Sequence, residues 1–566
     1  MGYCGIVAKA ISKELSTLNY GRIDKIIQPS KNDIQIGLYA NNKNHILHIS
    51  TDSNFYRVCL TTHSQEAPKV PTNFCMVLRK HLLGLRLNNV YTTKLERVIT
   101  FEFTGFDDVD DIINKKLIVE LMGKHCNIIL VEDNGYIIDS LRHISSDENF
   151  RNIVPHEKYI LPSTNKCNFL DMNISNFNAS DNFTGISKSH ISHLLDINNG
   201  NVAAVYNCLI NTIYNIDSFK YSLVSFKLPD SKKEDFCLIN SDVENLGLNL
   251  NFQIDEIYYY KETKSKFINY SNKLKSIVNN AYSKFTKRLK NIELKLTECD
   301  NMDMYRLYGE LVTANLYKLP AYNVETVTVE NYYDNNNLVT INLDKRYLPS
   351  INAKRFYKKY NKLNNTLKIV SIQKEETLKE LAYLESIIYE IESSTTLLDF
   401  EEIEKEILTN AIFNTNVSKN KINSIKDNKF SSKNKKKKKN NNVKHDTISF
   451  NPRKFIVDGY TFLVGKNNHE NDYLTLKYAK KTDIWFHTKD IHGSHCILSL
   501  EGKDYPSPET ISKCASIAAY FSKGINSSNV LVDYTFAKFV KKPSSARPGM
   551  VIYTNNKTLA IDPKLI

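Results

Sequence analysis

Two long stretches of helical periodicity do most to limit what this chain can fold into. In the first, Phe267, Tyr270, Leu274, Ile277, Ala281, Phe285, Leu289, Ile292 and Leu296 step by threes and fours, which lines them along one helix face. The fours at 277–281–285–289 interrupt the heptad as a stutter would. The second runs through Phe356, Tyr360, Leu363, Leu367 and Val370, then Leu381, Leu384, Ile388 and Ile391. About 40 residues of helix at ~1.5 Å each make a rod of roughly 60 Å. Between the stretches lie a short helical pattern, Tyr305–Leu316, and a hairpin-like run, VTVENYYDNNNLVTINL (327–343). The simplest geometry is an antiparallel coiled coil over 256–413 with a small tip insertion at about 299–352. A generic helical bundle is the alternative.

Charge is unevenly placed on that rod. Lys284, Lys287, Arg288, Lys290 and Lys295 mark the tip side of one arm. Lys354, Arg355, Lys358, Lys359, Lys362, Lys368 and Lys374 mark the other, with no acid among them. Beyond Glu375 the sign flips, through Glu376, Glu380, Glu385, Glu390 and Glu392. A solvated helix face usually mixes signs, so a basic tip on an acidic stem points to RNA at the far end. Lys287, Arg288, Lys290, Lys354, Lys358 and Lys359 are the candidate contacts. The net charge of +13 over 566 residues favours a polyanionic partner, though a membrane surface would also suit it.

The C-terminal region, 447–566, mixes strands with one well-marked helix. Strand-like runs (Phe455–Val464, Asn529–Val540, Met550–Tyr553) are rich in Val, Ile, Tyr and Phe. Ser507-Pro508-Glu509 starts a helix whose apolar face is Ile511, Cys514, Ala515, Ala518 and Phe521, with Gly524 ending it. Trp485, Phe486, His487, Lys489, His492 and His495 interleave rings with cationic donors, a mixture that suits bases and phosphates. Trp485 and Phe486 suit a core equally well. A metal site on His487, His492 and His495 has no cysteine or acid at a ligand spacing beside it, so zinc is not expected. Lys541, Lys542 and Arg547 add a basic strand pair.

Residues 1–165 read as an α+β domain. An amphipathic helix (Ile6 to Leu18) precedes strands at Ile34–Tyr39, Ile46–Ser50, Arg97–Phe103, Leu117–Leu121, Asn127–Val131 and Tyr136–Ser140, with a hairpin signal at Asn134-Gly135. FCMVLRKHLLGLRL (74–87) reads as a helix with Met76, Leu78, Leu82 and Leu85 inward. In 166–255, Thr184-Gly185-Ile186-Ser187 joins two short helical patterns as a helix-hairpin-helix turn would, and such a turn can offer amides to a phosphate. Residues 414–446 are rich in Asn, Lys and Ser and include Lys435–Lys439. They lack the apolar content to fold and read as a disordered linker with RNA affinity; a nuclear-localisation run is the other reading.

With about three or four domains expected for this length, the ten cysteines are scattered without a CxxC pair, which suits reduced thiols. The first residues, MGYCGIVAKAISKEL, hold no long apolar stretch, and no run approaches the ~20 apolar residues of a spanning helix. A soluble, cytoplasmic protein that does not engage a membrane is expected.

Long ordered strings resemble the NFACT family. They are GRIDKIIQP (21–29), FCMVLRKHL (74–82), LERVITFEF (95–103), LIVELMGKHCNIILV (117–131), DSLRHIS (139–145), YRLYGELVTANLY (305–317) and INAKRFYKKYNKL (351–363), followed by the string from Phe462 to Tyr553. Within the family the chain looks most like the bacterial, RqcH type, also labelled fibronectin-binding protein A-like. The resemblance implies a multidomain α+β protein with a glycosylase-like N-terminal domain, a helix-hairpin-helix region, the coiled coil and a C-terminal RNA-binding α+β domain. It implies a ribosome quality-control factor that binds large subunits blocked by peptidyl-tRNA, contacts rRNA near the stalk base, and recruits charged tRNA for message-free tailing, with alanine in bacteria. A small RNA-binding helper protein is a further implied partner.

No cofactor, metal or catalytic residue is implied, because the peptidyl-transfer chemistry is the ribosome's. Glycosylases of the related fold use an N-terminal proline followed by Glu; Gly2-Tyr3 stand here. The family's tRNA-handling Asp-Arg pair falls on Glu96-Arg97, and Arg79, Lys80, Lys124, His125 and Arg142 would join it. Read without the family, Arg97 is a strand-end surface arginine, Arg79 and Lys80 a solvated helix face, and Lys124-His125 an exposed turn. Two further departures are Cys4, where relatives often carry Asp, and Ser544-Ser545, where a glycine is common. An extracellular adhesin for fibronectin or another matrix protein is the competing function, disfavoured by the missing secretion signal. A nucleic-acid enzyme lacks a catalytic constellation.

Overall fold

The helix expected near the N-terminus is buried on nearly every side. In the computed structural model it is α1 (Gly5–Leu15), in which Gly5, Ile6, Val7, Ala8, Ala10, Ile11, Ser12, Glu14 and Leu15 are all buried. The structure describes residues 2–106, 111–145, 151–164, 166–228, 234–242, 249–320, 323–413, 450–544 and 546–565. The expected linker, 414–446, lies outside these, as does Ser545. The chain forms two compact units that divide between Lys266 and Phe267.

In the first unit, α1 packs on a nine-stranded antiparallel sheet. Its strands are β1 (Arg22–Ile27), β2 (Asp33–Ala40), β3 (Lys43–Ser50), β4 (Arg57–Leu60), β5 (Arg86–Thr92), β6 (Val98–Phe106), β7 (Ile112–Glu120), β8 (Asn127–Glu132) and β9 (Ile137–Ser140). Their order is β4-β3-β2-β1-β5-β6-β7-β8-β9. The halves meet at Arg22 opposite Arg86, with irregularities beside the joint at Ile23/Lys25 and Leu87/Asn89. Such bulges bend and twist a strand, and both halves contribute to the core around α1. Helix α2 (Asn73–Leu82) is capped by Thr72, whose hydroxyl accepts from the Cys75 amide. Phe74, Cys75, Leu78 and Leu82 are its buried face. Met76, expected inward, is 50% exposed, because it lies between Phe74 and Leu78 on the opposite side of the turn.

The helix-hairpin-helix expectation needs correction. The two helices are α3 (Lys188–Ile197) and α4 (Val202–Asn215), and they are joined by Asn198–Asn201, where Asn199 and Gly200 take φ of +52° and +79°. Thr184–Ser187 precedes both helices. There the Gly185 carbonyl accepts the amides of Gly5 and Ile6, at 2.8 and 3.3 Å, so it caps α1. A Cβ at Gly185 would stand 2.0 Å from the Leu95 carbonyl oxygen. This glycine serves close packing, and its loop is not an anion cradle. A hairpin of β10 (Tyr221–Lys227) and β11 (Glu234–Asn240) follows.

Helix α5 (Asn249–Cys299) is 51 residues long and begins well before its heptad stripe. Its first turn is held by the buried Glu14 carboxylate, which accepts from the Tyr221 hydroxyl, the amides of Leu250 and Asn251, and the Asn251 side chain, all at 2.9–3.1 Å. The first amides of a helix have no partner within it, and an anion at that end suits the dipole. About three turns further on, Arg57 donates to Glu262 at 2.6 Å, both side chains being largely buried.

In the second unit, the rest of α5 pairs with α7 (Pro349–Ser393). Lys275 contacts Glu392 at 3.0 Å and the Tyr282 hydroxyl donates to Glu385 at 2.8 Å. Seven residues forward on α5 match seven backward on α7, which is an antiparallel register. Leu274, Ile277 and Val278 meet Tyr383, Leu384, Ile387 and Ile391, with Phe400, Ile403 and Ile407 from α8 (Leu397–Thr409). The insertion holds α6 (Met302–Ala314) and a hairpin of β12 (Thr326–Asn331) and β13 (Asn337–Asn342), with its own core of Leu311, Val312, Val327, Val329, Ile341, Leu343 and Ala353. The antiparallel coiled coil with a tip insertion is present as expected.

The C-terminal sheet has the order β14 (Arg453–Val457), β15 (Tyr460–Val464), β17 (Cys496–Ser499), β16 (Ile484–Thr488), β18 (Val530–Phe536) and β21 (Lys557–Ile561). The single expected strand Phe455–Val464 is a hairpin instead, turned at Asp458-Gly459 with φ of +47° and +84°, the two-residue loop that matches strand twist. Helix α10 (Pro508–Tyr520), capped by Ser507, covers one face of the sheet. A short α9 (Asn468–Tyr473) and the pair β19 (Val540–Lys541) and β20 (Ile552–Tyr553) lie toward the other, around Leu463, Leu474, Trp485 and Ile497.

Glu390 of α7 and Glu406 of α8 are both buried. Glu406 accepts from the Tyr383 hydroxyl at 2.6 Å and from Asn468 at 3.2 Å. One oxygen of each carboxylate has no partner among the described residues. Burial, then mutual repulsion, holds the Glu390 carboxyl well above the usual range, and burial raises Glu406 as well, against Tyr383, His469 and Asn468. A carboxyl raised in the folded state contributes its stability below its unfolded value and loses it as pH climbs through the folded one. Glu390→Gln is therefore expected to melt roughly 2–4 °C higher than wild type at about pH 8.5, with the gain shrinking toward pH 5. Thermal melts at both pH values check this; a gain equal at both contradicts it.

Candidate nucleic-acid interface

Arg97 stands just before β6, and its guanidinium donates to the Tyr56 hydroxyl at 3.1 Å. Arg142 follows β9 and is tied on three sides: it donates to the Lys124 carbonyl at 3.1 Å, the Asn32 side chain at 3.1 Å and the Thr51 carbonyl at 3.2 Å. Both guanidinium charges act on Cys126, whose thiol burial pushes up to about 11. Between them runs the Gly123–His125 turn, with Lys124 and His125 exposed. Gly123 takes φ +65° there, with nothing within 4 Å of where a Cβ would stand. Arg97, Arg142, Lys124 and His125 thus share one end of the β7–β8 pair. Glu96 is half-buried beside them, its carboxyl raised by burial and lowered in part by Arg97 and Lys166.

The α2 residues do not join this group. Arg79 donates from Nε to the Ile26 carbonyl at 2.8 Å, and Lys80 is exposed. The last turn of α2 lies toward Lys115 and Glu132, which act on His81. Lys115 and Glu132 pair at one end of the strands, while Glu120 and Asn127 pair at the other, beside the Gly123 turn. Five residues of strand separate them, about 17 Å. Tyr56, Asn32 and Thr51, which position the arginines, carry no signal in the sequence.

In the C-terminal domain the structure corrects the nominated residues. Trp485 is 0% exposed, packed against His487, His495 and Tyr553 at centroid distances of 5.6, 5.3 and 4.8 Å. His495 is buried, its Nδ1 2.8 Å from the Thr475 hydroxyl. Burial pushes His495 down to about 3 and His487 to about 4, so neither ring is charged at neutral pH. The cause is that β16 is a central strand covered on both faces. Trp485 and Phe486 fill a core and cannot stack on an incoming base, while His487, stacked on Trp485, stays half-buried.

Three more nominated residues are engaged within the chain. His492 contacts Glu385 of α7 at 3.2 Å. Arg547 donates to Glu380 at 2.6 Å and to Asn410 at 3.2 Å. Lys542 pairs with Asp472. His492 and Arg547 hold the domain to the stem helices. Lys489 and Lys541 remain exposed. Among the described residues no group of His, Cys, Asp and Glu is placed to hold a metal ion.

The coiled coil is different. Lys287, Arg288, Lys290, Lys354 and Lys358 are exposed and take part in no salt bridge among the described residues. Lys359 donates to the Tyr305 hydroxyl at 2.7 Å and lies 4.0 Å from its ring centroid, so it braces α6 against α7. Arg355 and Arg346 both pair with Asp344. Lys354 and Lys358 stand beside the insertion. The register set by Lys275–Glu392 and Tyr282–Glu385 puts Lys287, Arg288 and Lys290 level with residues 377–380 of α7, about 20 residues or ~30 Å nearer the stem. The five exposed cations are two groups along the rod, and the expectation that both mark its tip is corrected.

The distinction between a braced and a free cation can be measured. Arg142→Ala removes three charged hydrogen bonds and is expected to destabilise the protein by about 1–3 kcal/mol, whereas Lys124→Ala changes stability by less than ~0.5 kcal/mol. Urea unfolding of the two variants separates them; equal effects would contradict the bracing role of Arg142.

Residues 5–426 match the family model described as NFACT N-terminal and middle domains, and residues 450–555 match the NFACT protein RNA binding domain. The protein named Rqc2 homolog RqcH from Bacillus subtilis (strain 168) is 30% identical over 585 residues, covering all of this chain and 98% of that protein. Its namesake from Streptococcus suis (strain 05ZYH33) is 32% identical over 582 residues, with 100% and 98% covered. The solved C-terminal part of the fibronectin/fibrinogen-binding protein from Streptococcus suis is 28% identical, covering 53% of this chain and 96% of that one at a TM-score of 0.37. On the strength of the two family models and the full-length relatives, the chain belongs to the NFACT family.

Proposed function

We propose that this protein acts in ribosome quality control: it grips a large ribosomal subunit still blocked by peptidyl-tRNA and recruits charged tRNA, alanyl in the bacterial case, for message-free extension of the nascent chain. The observation that carries the reading is the set of exposed cations along the coiled coil that take part in no salt bridge among the described residues, Lys354 and Lys358 beside the insertion and Lys287, Arg288 and Lys290 further along α5. They have the exposure and charge to meet rRNA phosphates, and the stalk base of the subunit is the surface proposed for them. The Arg97, Lys124 and His125 group, steadied by Arg142, is the proposed tRNA contact. Glu96 keeps the charge of the family's acid with one methylene more. Peptidyl transfer is assigned to the ribosome, so no residue here is given a catalytic role and no cofactor is needed. Among the described residues no helix is long and apolar enough to cross a membrane, and the cytoplasm is the proposed compartment.

Sedimentation through a sucrose gradient tests the core of this reading: the protein should travel with large subunits, and failure to do so under any salt condition would remove it. The rod's cations are tested by reversing Lys290, Lys354 and Lys358 to Glu, a set that samples both groups and spares Lys359 because of its bracing contact. Each lost phosphate contact lowers the salt slope of binding by roughly 0.7–0.9, so the triple variant should bind subunits weakly, with a slope reduced by about 2 to 3. Exposed charges contribute little to stability, so its melting curve should match wild type. Arg97→Ala should slow tail synthesis while leaving subunit binding intact; wild-type tailing rates would overturn the tRNA assignment.

A further inference from the structure

Trp485 and His495 of the C-terminal domain are interior, and the domain has exposed aromatic surface elsewhere. A pocket of about 220 Å³ opens at the end of the sheet. Ile484 and Thr535, both buried, form its floor, and Tyr505, Tyr534 and Phe536 its walls. Asn555 and Lys557, both exposed, stand at its rim.

The sheet and α10 differ in extent, and that difference makes the pocket. Along β18, Val530 and Val532 are buried in the core beneath α10. Tyr534 and Phe536 continue the same face but are only half-covered. Tyr505, in the loop before α10, is 53% exposed, and its ring centroid lies 5.9 Å from that of Phe536. Tyr534 is backed by Phe486, stacked at 5.7 Å, so one of its sides is already satisfied. Neither tyrosine hydroxyl has a hydrogen-bond partner among the described residues.

Two lysines stand beside the pocket. Lys557 sits opposite Tyr534 across β18 and β21. The Lys538 ammonium lies 5.3 Å from the Phe536 ring centroid. The acids next to this site in the sheet face away from it: Asp533 accepts from the Tyr553 hydroxyl, and Asp483 from the amides of Lys480 and Leu500.

We propose that this pocket takes one unstacked nucleobase of single-stranded RNA, whose flanking phosphates meet Lys538 and Lys557. The inference rests on the RNA-binding reading of the domain. A planar base has a face for each half-exposed ring and edge groups for the two hydroxyls and Asn555, and stacking of this kind is tolerant of sequence. The volume is below the roughly 300 Å³ at which pockets for larger ligands begin. Paired bases cannot enter, because their faces are already stacked. An apolar side chain of a protein partner would satisfy the rings but leave both lysines and both hydroxyls unmatched.

The test uses the full-length protein with two fluorescent probes, a short oligouridylate and a chain of the same length with abasic riboses. Tyr505→Ala should weaken binding of the base-bearing probe on the order of tenfold and leave the abasic probe unaffected. Tyr505→Phe, which keeps the ring and loses one neutral hydrogen bond, should weaken the base-bearing probe by less, about threefold. Lys557→Ala should weaken both probes and lower the salt slope by about one. If wild type binds the oligouridylate and Tyr505→Ala binds it equally well, the pocket is not a base site. If wild type binds neither probe, the RNA-binding reading itself fails and takes the pocket with it.

Discussion

The carboxylates on the C-terminal half of α7 organise the second unit. Glu392 is matched by Lys275 and Glu385 by Tyr282, and these two contacts set the antiparallel register with α5. Glu385 also meets His492, and Glu380 meets Arg547, which ties the C-terminal domain to the same helix. Glu390 is driven inside, beside Glu406. In sequence this stretch reads as an acidic stem that would repel RNA. In the structure most of its charge is consumed by internal partners, which leaves exposed cations along the rod, Lys287, Arg288 and Lys290 on α5 and Lys354 and Lys358 on α7, outside any salt bridge among the described residues. An isolated exposed pair is worth little; the weight here lies in several pairs sharing two apolar seams.

The first unit handles its buried acid in another way. Glu14 lies on a helix with no exposed face and would be costly there without partners. Four donors converge on it, two of them amides at the start of α5. The Gly185 carbonyl does the converse for α1, accepting its first amides. Two helix N-termini are therefore capped by groups distant in sequence, and each cap also fixes the position of a loop or helix within the unit.

The features legible in the sequence were those whose cause is local. The heptad stripes of α5 and α7, the Ser507-Pro508 cap of α10 and the hairpin at 327–343 follow from spacing alone. The strands β1, β4, β5, β10 and β11 were not legible. In β4, for example, all four residues of Arg57–Leu60 are buried, including an arginine made tolerable by its pairing with Glu262 and its bond to the Phe55 carbonyl, so no alternation marks the strand. The start of α5 at Asn249 was hidden because its first turns are fixed by Glu14 and Arg57 rather than by a heptad seam. Thr184–Ser187 resembled an inter-helical turn because a positive-φ glycine serves close packing and phosphate loops equally well.

The candidate site was legible as composition and much less as exposure. Trp485, His487 and His495 have the residue types of a stacking surface, but whether a ring stacks on a base or on its neighbours depends on what covers the strand. That is decided by Leu463, Leu474 and Val540, which lie far along the chain. Arg547 and Glu380 are separated by 167 positions, and no window of sequence shows that one neutralises the other. Lys290, Lys354 and Lys358 differ from Arg547 only in lacking such a partner. For a chain this basic, the count of cations therefore favours a polyanionic partner, while the distribution of carboxylates in the folded state decides which cations stay unpaired.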